Sequence, residues 1–300
     1  MLDMLRRDIL RDILKLSTLA APALCPAAEP KVSTPSFNTL SEQEEIALGR
    51  KFALQYEKDV QILHNYAIDQ YLAGIIQRLG NVSQKPSWPF RIKVVNTSEI
   101  NASAVPGGVL FVQRGLLNFV EDEDEMVGAL AHEVGHVVAR HTTNQLMAAF
   151  LARNLYERVK KNLLLENTIV EQVVEALGGP LVLLAQLKYS RENESEADLL
   201  GFYEMIRAGW HPGGLLKFFT RLQQIEGNRT AVDVMLSDHP STIERARILK
   251  QELASVRLTL APRGQTMAFK AMKSTLGAMP PPPRKQLEGT CRCFVDWKPA

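Results

Sequence analysis

Residues 131–141 read AHEVGHVVARH and hold three of the six histidines of a 300-residue chain, with one glutamate among them. On an α-helix, residues four apart share a face, so His132 and His136 aim two imidazoles at one point while Glu133 lies beside them. This His-Glu-x-x-His spacing is that of zinc hydrolases. In them the two histidines hold the ion, and the glutamate stays off it as general base toward water that the metal makes acidic. With so few histidines an accidental match is on the order of one per cent, and a third ligand decides the matter.

A metzincin would take its third histidine from the same stretch, after a glycine three residues beyond the second one. Here those positions are Ala139 and Thr142, and His141 falls one residue short. The other source is a glutamate on a later helix, and YSRENESEADLLGFY, residues 189–203, supplies one. Arg191, Glu194 and Asp198 fall at i, i+3 and i+7 on one face, whereas Glu192 and Glu196 point elsewhere. Glu194 is the expected third ligand. Asp198, one turn on, is placed to hold the far ring nitrogen of a ligand histidine, and Arg191 is a possible support.

The elements that must position these groups are legible in outline. Gly128, Ala131 and Gly135 form a small-residue stripe beside the histidine face, and Ser190, Ala197 and Gly201 form another beside Glu194. A glycine inside a helix costs about 1 kcal/mol relative to alanine, so such stripes imply a gain from close helix approach. Ser41 followed by Glu44 is a capping box that opens a first helix, and a second runs from about residue 60 to 80. Short β-type runs at 89–96 and 107–113 predict a small sheet, after which periodicity is dominantly helical from 114 to about 253. The fold class is mainly α with a small β-sheet, an α+β zincin-type domain. It is expected over 38–260, between a signal-like or amphipathic amino segment with its linker (1–37) and a proline-rich tail (261–300).

Composition narrows the function further. The chain is 46% hydrophobic and 23% charged, with a net charge of +2 spread over mixed acidic and basic residues. That is a globular chain without the electrostatic footprint of a nucleic-acid binder. Cys25, Cys291 and Cys293 are too few and too terminal for a disulfide framework. The amino end has basic residues, a short alanine-rich apolar run and then Pro/Ala-rich sequence, the outline of a secretory signal, although its aspartates fit an amphipathic helix equally. ALGGPLVLLAQL, residues 176–187, is too short to cross a bilayer.

Taken together, NASAVPGGVLFVQRGLL, the His-Glu-x-x-His helix ending in ARH, SRENESEAD, AGWHP and HPSTIERARIL make residues 101–249 resemble the zinc metallopeptidases that include the CAAX prenyl endopeptidase, HtpX and the mitochondrial protease OMA. The resemblance implies a gluzincin-type helical domain, one Zn2+ per chain on His132, His136 and Glu194, and Glu133 as catalytic base. Ser103 stands where a bulkier residue is common in that family. The lack of the membrane members' hydrophobic spans points to the exported branch, hence a periplasmic or peripherally membrane-associated protein acting on unfolded or extended polypeptides in protein quality control.

Three further expectations concern the surroundings of the metal. His239, in SDHPSTIER, is a candidate donor to the reaction's oxyanion, or alternatively a fourth metal ligand that keeps the enzyme latent, and Arg245 lies close enough in sequence to support it. NASAVPGGVLFVQ reads as an edge strand, with Asn101, Ala102 and Gly108 as positions that could pair with an extended substrate. His141, His64 and His211 are expected to be structural. The competing functional class is a zinc-stabilised chaperone-like or binding protein with a closed metal site; an intact Glu133 argues against it.

Overall fold

The structure, a computed structural model, describes residues 31–32, 38–161, 189–225, 239 and 242–282. The amino segment with Cys25, the apolar run at 176–187 and the end of the tail with Cys291 and Cys293 lie outside the described residues.

A four-stranded sheet stands at the centre, made of β1 (Ile62–Leu63), β2 (Arg91–Val95), β3 (Ala102–Val105) and β4 (Val109–Gln113). Its order is β1-β2-β4-β3, with β4 parallel to β2 and antiparallel to β3. Both faces of β4 are covered, which is why VLFVQ reads as a continuous apolar run rather than an alternating one. Leu110 and Val112 enter the main core, and Val109 and Phe111 enter a second core on the opposite face.

The second core is closed by α1 (Glu42–Asp59) through Leu48, Phe52 and Tyr56, and by the start of α5 (His141–Lys161) through Leu146, Met147 and Phe150. The capping box at the start of α1 is present: the Ser41 hydroxyl accepts from Glu44 N, and Ser41 N donates to the Glu44 carboxylate at 2.8 Å. The main core is built from α2 (Tyr66–Val82), the short α3 (Arg114–Phe119), α4 (Glu123–Val138), α6 (Arg191–Arg207), α7 (Gly213–Ile225), α8 (Thr242–Ser255) and α9 (Met267–Ala278).

Every residue of α4 is buried, the mark of a helix enclosed on all sides. Its charged first turn survives burial because each carboxylate is satisfied. Glu123 accepts from Tyr71 Oη at 2.8 Å and Trp210 Nε1 at 2.9 Å. Asp124 takes the His211 backbone N–H, and Glu125 takes Arg221. The Asp122 side chain caps the helix by accepting from Glu125 N at 2.8 Å.

The boundary expected at residue 260 falls inside the packed body. Phe269, Met272 and Leu276 of α9 are buried in the main core, and Arg114 donates to Leu276 O and Pro280 O, both at 2.7 Å. The apolar positions of α9 recur at helical spacing, but the prolines that follow it dominate the composition of the whole stretch. Among the described residues, no helix is long and apolar enough to cross a membrane.

Candidate metal centre

The α4 and α6 helices approach more closely than side chains of ordinary size permit. A Cβ added at Gly135 would stand 2.4 Å from Ala197 O, and one at Gly201 would stand 2.8 Å from the Ala131 backbone. The two small-residue stripes therefore meet at Gly135, Ala197, Gly201 and Ala131. Two expected members lie elsewhere. Gly128 packs against the backbone of Leu215 at the start of α7, and Ser190 is the N-cap of α6.

This contact sets Glu194 opposite the two histidines of α4, and a fourth group arrives from the segment before α8. His132, His136, Glu194 and His239, all buried, have one donor atom each within 4.8 Å of the others. His132 Nε2 lies 3.1 Å from His136 Nε2 and 3.2 Å from His239 Nδ1. Glu194 Oε1 lies 2.9 Å from His239 Nδ1 and 3.4 Å from His136 Nε2. Ligands held at 2.0–2.1 Å in a tetrahedron stand about 3.4 Å apart, so these separations suit a four-coordinate ion of zinc's size.

The protonation pattern suits a cation as well. His132 Nδ1 donates to Asp198 Oδ1 at 2.8 Å, which turns a bare Nε2 lone pair toward the cluster. Lone pairs and a carboxylate crowded together repel one another unless a positive charge stands among them. Burial, together with the Arg245 charge, lowers the pKa of His132, and burial lowers that of His136 well below the ordinary imidazole value. Burial alone would lower His239 too, yet the Glu194 and Glu133 carboxylates carry it up to about 9. The positive charge beside Glu194 is then the proton on His239, which a metal ion would have to displace.

Asp198 is itself held by Arg245, whose Nε donates to Oδ2 and whose terminal nitrogen donates to Oδ1, both at 2.7 Å. The same guanidinium reaches Glu194 Oε2 at 2.5 Å. Arg245, expected to support His239, instead bridges the two carboxylates of α6 and lies over the Phe219 ring at 4.1 Å. Burial raises the Asp198 carboxyl and Arg245 lowers it further, leaving it below the ordinary range. Glu133, also buried, places Oε1 3.6 Å from His239 Nε2 and is not among the converging donors.

Several expected site residues stand apart from the cluster. Arg191 is exposed at the first position of α6, where the shared face has already emerged from the helix contact. Gly108 belongs to the turn Pro106–Gly108, with φ near 97°, and a Cβ there would meet Phe90 at 3.3 Å, so it is not on the free edge of the sheet. The Asn101 carbonyl accepts from Gln113 N and faces inward. On β3 this leaves the main-chain groups of Ala102 and Ala104 directed outward, and the Ala104 carbonyl accepts from the Thr142 hydroxyl at 3.3 Å. The stretch taken as a single edge strand is two strands, β3 at the edge and β4 inside it.

His141, expected to be structural, and Tyr189 both lie against His136. His141 Nδ1 lies 3.0 Å from His136 Nδ1, and the Tyr189 ring stacks on His136 with centroids 4.0 Å apart. His64 is exposed, and His211 accepts from Gly213 N.

The sequence pattern of peptidase family M48 matches residues 67–253, which include the four clustered residues, Glu133, Asp198 and Arg245. The chain is 28% identical over 222 residues to the beta-barrel assembly-enhancing protease of Yersinia pestis, covering 72% of this chain and 46% of that one. It is 29% identical over 219 residues to metalloprotease YcaL of Escherichia coli, covering 72% and 83%. With the mitochondrial metalloendopeptidase OMA1 of Arabidopsis thaliana it shares 28% over 198 residues, covering 66% and 39%. The chain spans about half the length of the beta-barrel assembly-enhancing proteases it matches.

Proposed function

The chain belongs to peptidase family M48, and from that premise we propose that it is a zinc-dependent endopeptidase acting on unfolded or extended polypeptides. The observation that carries this reading is the convergence of His132, His136, Glu194 and His239 at separations suited to one tetrahedral ion, with Glu133 beside them but not among them.

Zinc held there would supply Lewis acidity, polarising a peptide carbonyl and making water acidic near neutral pH. Glu133 takes the proton of the attacking water and returns it to the leaving amine. Asp198 fixes the tautomer and orientation of His132, and Arg245 holds Asp198 and Glu194 in register. β3 is the edge strand of the sheet, and pairing of an extended peptide with the outward main-chain groups of Ala102 would select substrates by conformation.

His239 is the fourth donor of a closed, resting arrangement. With His239 among the ligands a zinc held there would have four protein donors, whereas a catalytic site keeps one position open, so His239 would have to leave to admit a carbonyl. Its 2.9 Å contact with Glu194 and its 3.2 Å contact with His132 support reading it as a ligand rather than as a donor above a substrate.

Relatives named for enhancing β-barrel assembly support a role in quality control of envelope proteins, with a periplasmic or membrane-peripheral location. The test is metal analysis joined to cleavage of casein, an unfolded protein. One zinc per chain is expected, with cleavage abolished by a chelator and restored by zinc. Cleavage that persists in the metal-free protein would overturn the proposal.

A further inference from the structure

The two histidines of α4 are held from behind in different ways. His132 leans on a buried carboxylate, Asp198. His136 leans on another histidine: its Nδ1 lies 3.0 Å from His141 Nδ1, and His141 Nε2 lies 3.1 Å from Glu196 Oε2. The chain runs from a fully buried ligand to a carboxylate whose side chain is 30% exposed.

Hydrogen-bond chemistry gives this chain one consistent direction. An ionised carboxylate only accepts, so His141 carries its proton on Nε2 and donates it to Glu196. In the neutral ring the Nδ1 of His141 is then a lone pair, and the facing Nδ1 of His136 is the donor. That leaves His136 Nε2 bare and directed at His132 Nε2 and Glu194. Each link determines the next, and the last is the metal-facing lone pair.

The backbone is bent to build it. The helix α4 ends at Val138, and Arg140 takes the left-handed conformation with φ of 58°, an uncommon state for a residue with a side chain. Arg140 is held there by Glu45 at 2.5 Å and the Leu40 carbonyl at 2.7 Å. The turn opens α5 at His141 and folds that ring under His136. Strain of this kind persists where the surroundings over-determine it, and it gathers at functional sites.

We propose that His141, oriented by Glu196, is a positioning residue that sets the tautomer and ring orientation of His136 for metal binding. The proposal rests on the reading of His132, His136 and Glu194 as zinc ligands. It makes Glu196, on the far side of α6 from Glu194, part of the same centre.

The test is zinc affinity of the full chain by chelator competition, with the visible spectrum of the cobalt-substituted protein as a second readout. Removing a partner of this type weakens metal binding by about 10–100-fold. His141→Phe, which keeps a ring and removes both nitrogens, is expected to lose that much and to shift the cobalt bands. His141→Asn, whose side-chain oxygen falls where Nδ1 stood, is expected to recover most of the affinity and the wild-type spectrum. Glu196→Leu, at a half-exposed position, is expected to weaken binding toward the lower end of the range and decides the question if His141→Phe does not fold. Wild-type affinity and spectrum in His141→Phe, or in Glu196→Leu, would overturn the positioning role, as would an Asn variant no better than Phe. A wild-type chain that takes up no zinc would overturn the metal reading beneath it.

Discussion

Gly135→Ala tests whether helix approach builds the site. The added Cβ would stand 2.4 Å from Ala197 O and 3.0 Å from Ala197 Cα, about 1 Å inside ordinary contact with the carbonyl. Both atoms are backbone, so relief requires α4 and α6 to part. Overpacking of this kind costs about 1–3 kcal/mol, and a backbone clash belongs toward the upper end. Alanine returns about 1 kcal/mol of helix propensity, leaving a net loss of about 2 kcal/mol. Ala197 lies between Glu194 and Asp198, so parting the helices also draws both carboxylates away from the histidines. Metal sites tolerate distance errors of only about 0.2 Å. Gly74→Ala on α2 is the matched control: nothing lies within 4 Å of its added Cβ, and the variant should gain about 0.5–1 kcal/mol. The assay is urea unfolding of the metal-free proteins together with zinc competition. Opposite signs are expected, with zinc affinity at least about tenfold weaker for Gly135→Ala alone. A Gly135→Ala protein as stable as Gly74→Ala and with wild-type zinc affinity would refute the close-approach argument.

Three other substitutions separate the parts of the account. Arg245→Met leaves Glu194 and Asp198 buried without their shared cation, so the metal-free protein should lose about 3–5 kcal/mol. Calorimetric melting with and without zinc checks this, since the metal should restore part of the loss. Ser41→Ala removes the hydroxyl that caps α1 and should cost about 1 kcal/mol in urea unfolding while leaving zinc affinity unchanged. His239→Ala should retain zinc on three ligands and cleave casein faster than wild type; a severe loss of cleavage would contradict the closed resting arrangement.

How much of this was legible in the sequence follows from what each signal depends on. Helical spacing reports groups on one helix, so His132, Glu133 and His136, and separately Glu194 with Asp198, could be read directly. The glycines and alanines located the contact between the two helices but not every partner, because Gly128 serves a different contact with α7. His141 could not be placed by spacing, since α4 stops at Val138 and a left-handed residue turns the chain before α5 begins. Glu196 is off the Glu194 face, as periodicity requires, yet it meets a group delivered by that turn. Arg191 shows the reverse case: correct spacing at a helix end that has already left the interface. The α9 helix was obscured by the prolines that follow it, although Phe269, Met272 and Leu276 fill the core.

The central claim is that Glu133 acts as a base at a metal held by its neighbours, which one comparison tests most directly. Wild type and Glu133→Gln are loaded to equal zinc content and incubated with casein. The glutamine keeps the size of the side chain and its place off the metal but cannot take a proton, so the account predicts full zinc occupancy with cleavage abolished. Equal cleavage by both proteins, or none by either at full zinc occupancy, would contradict it.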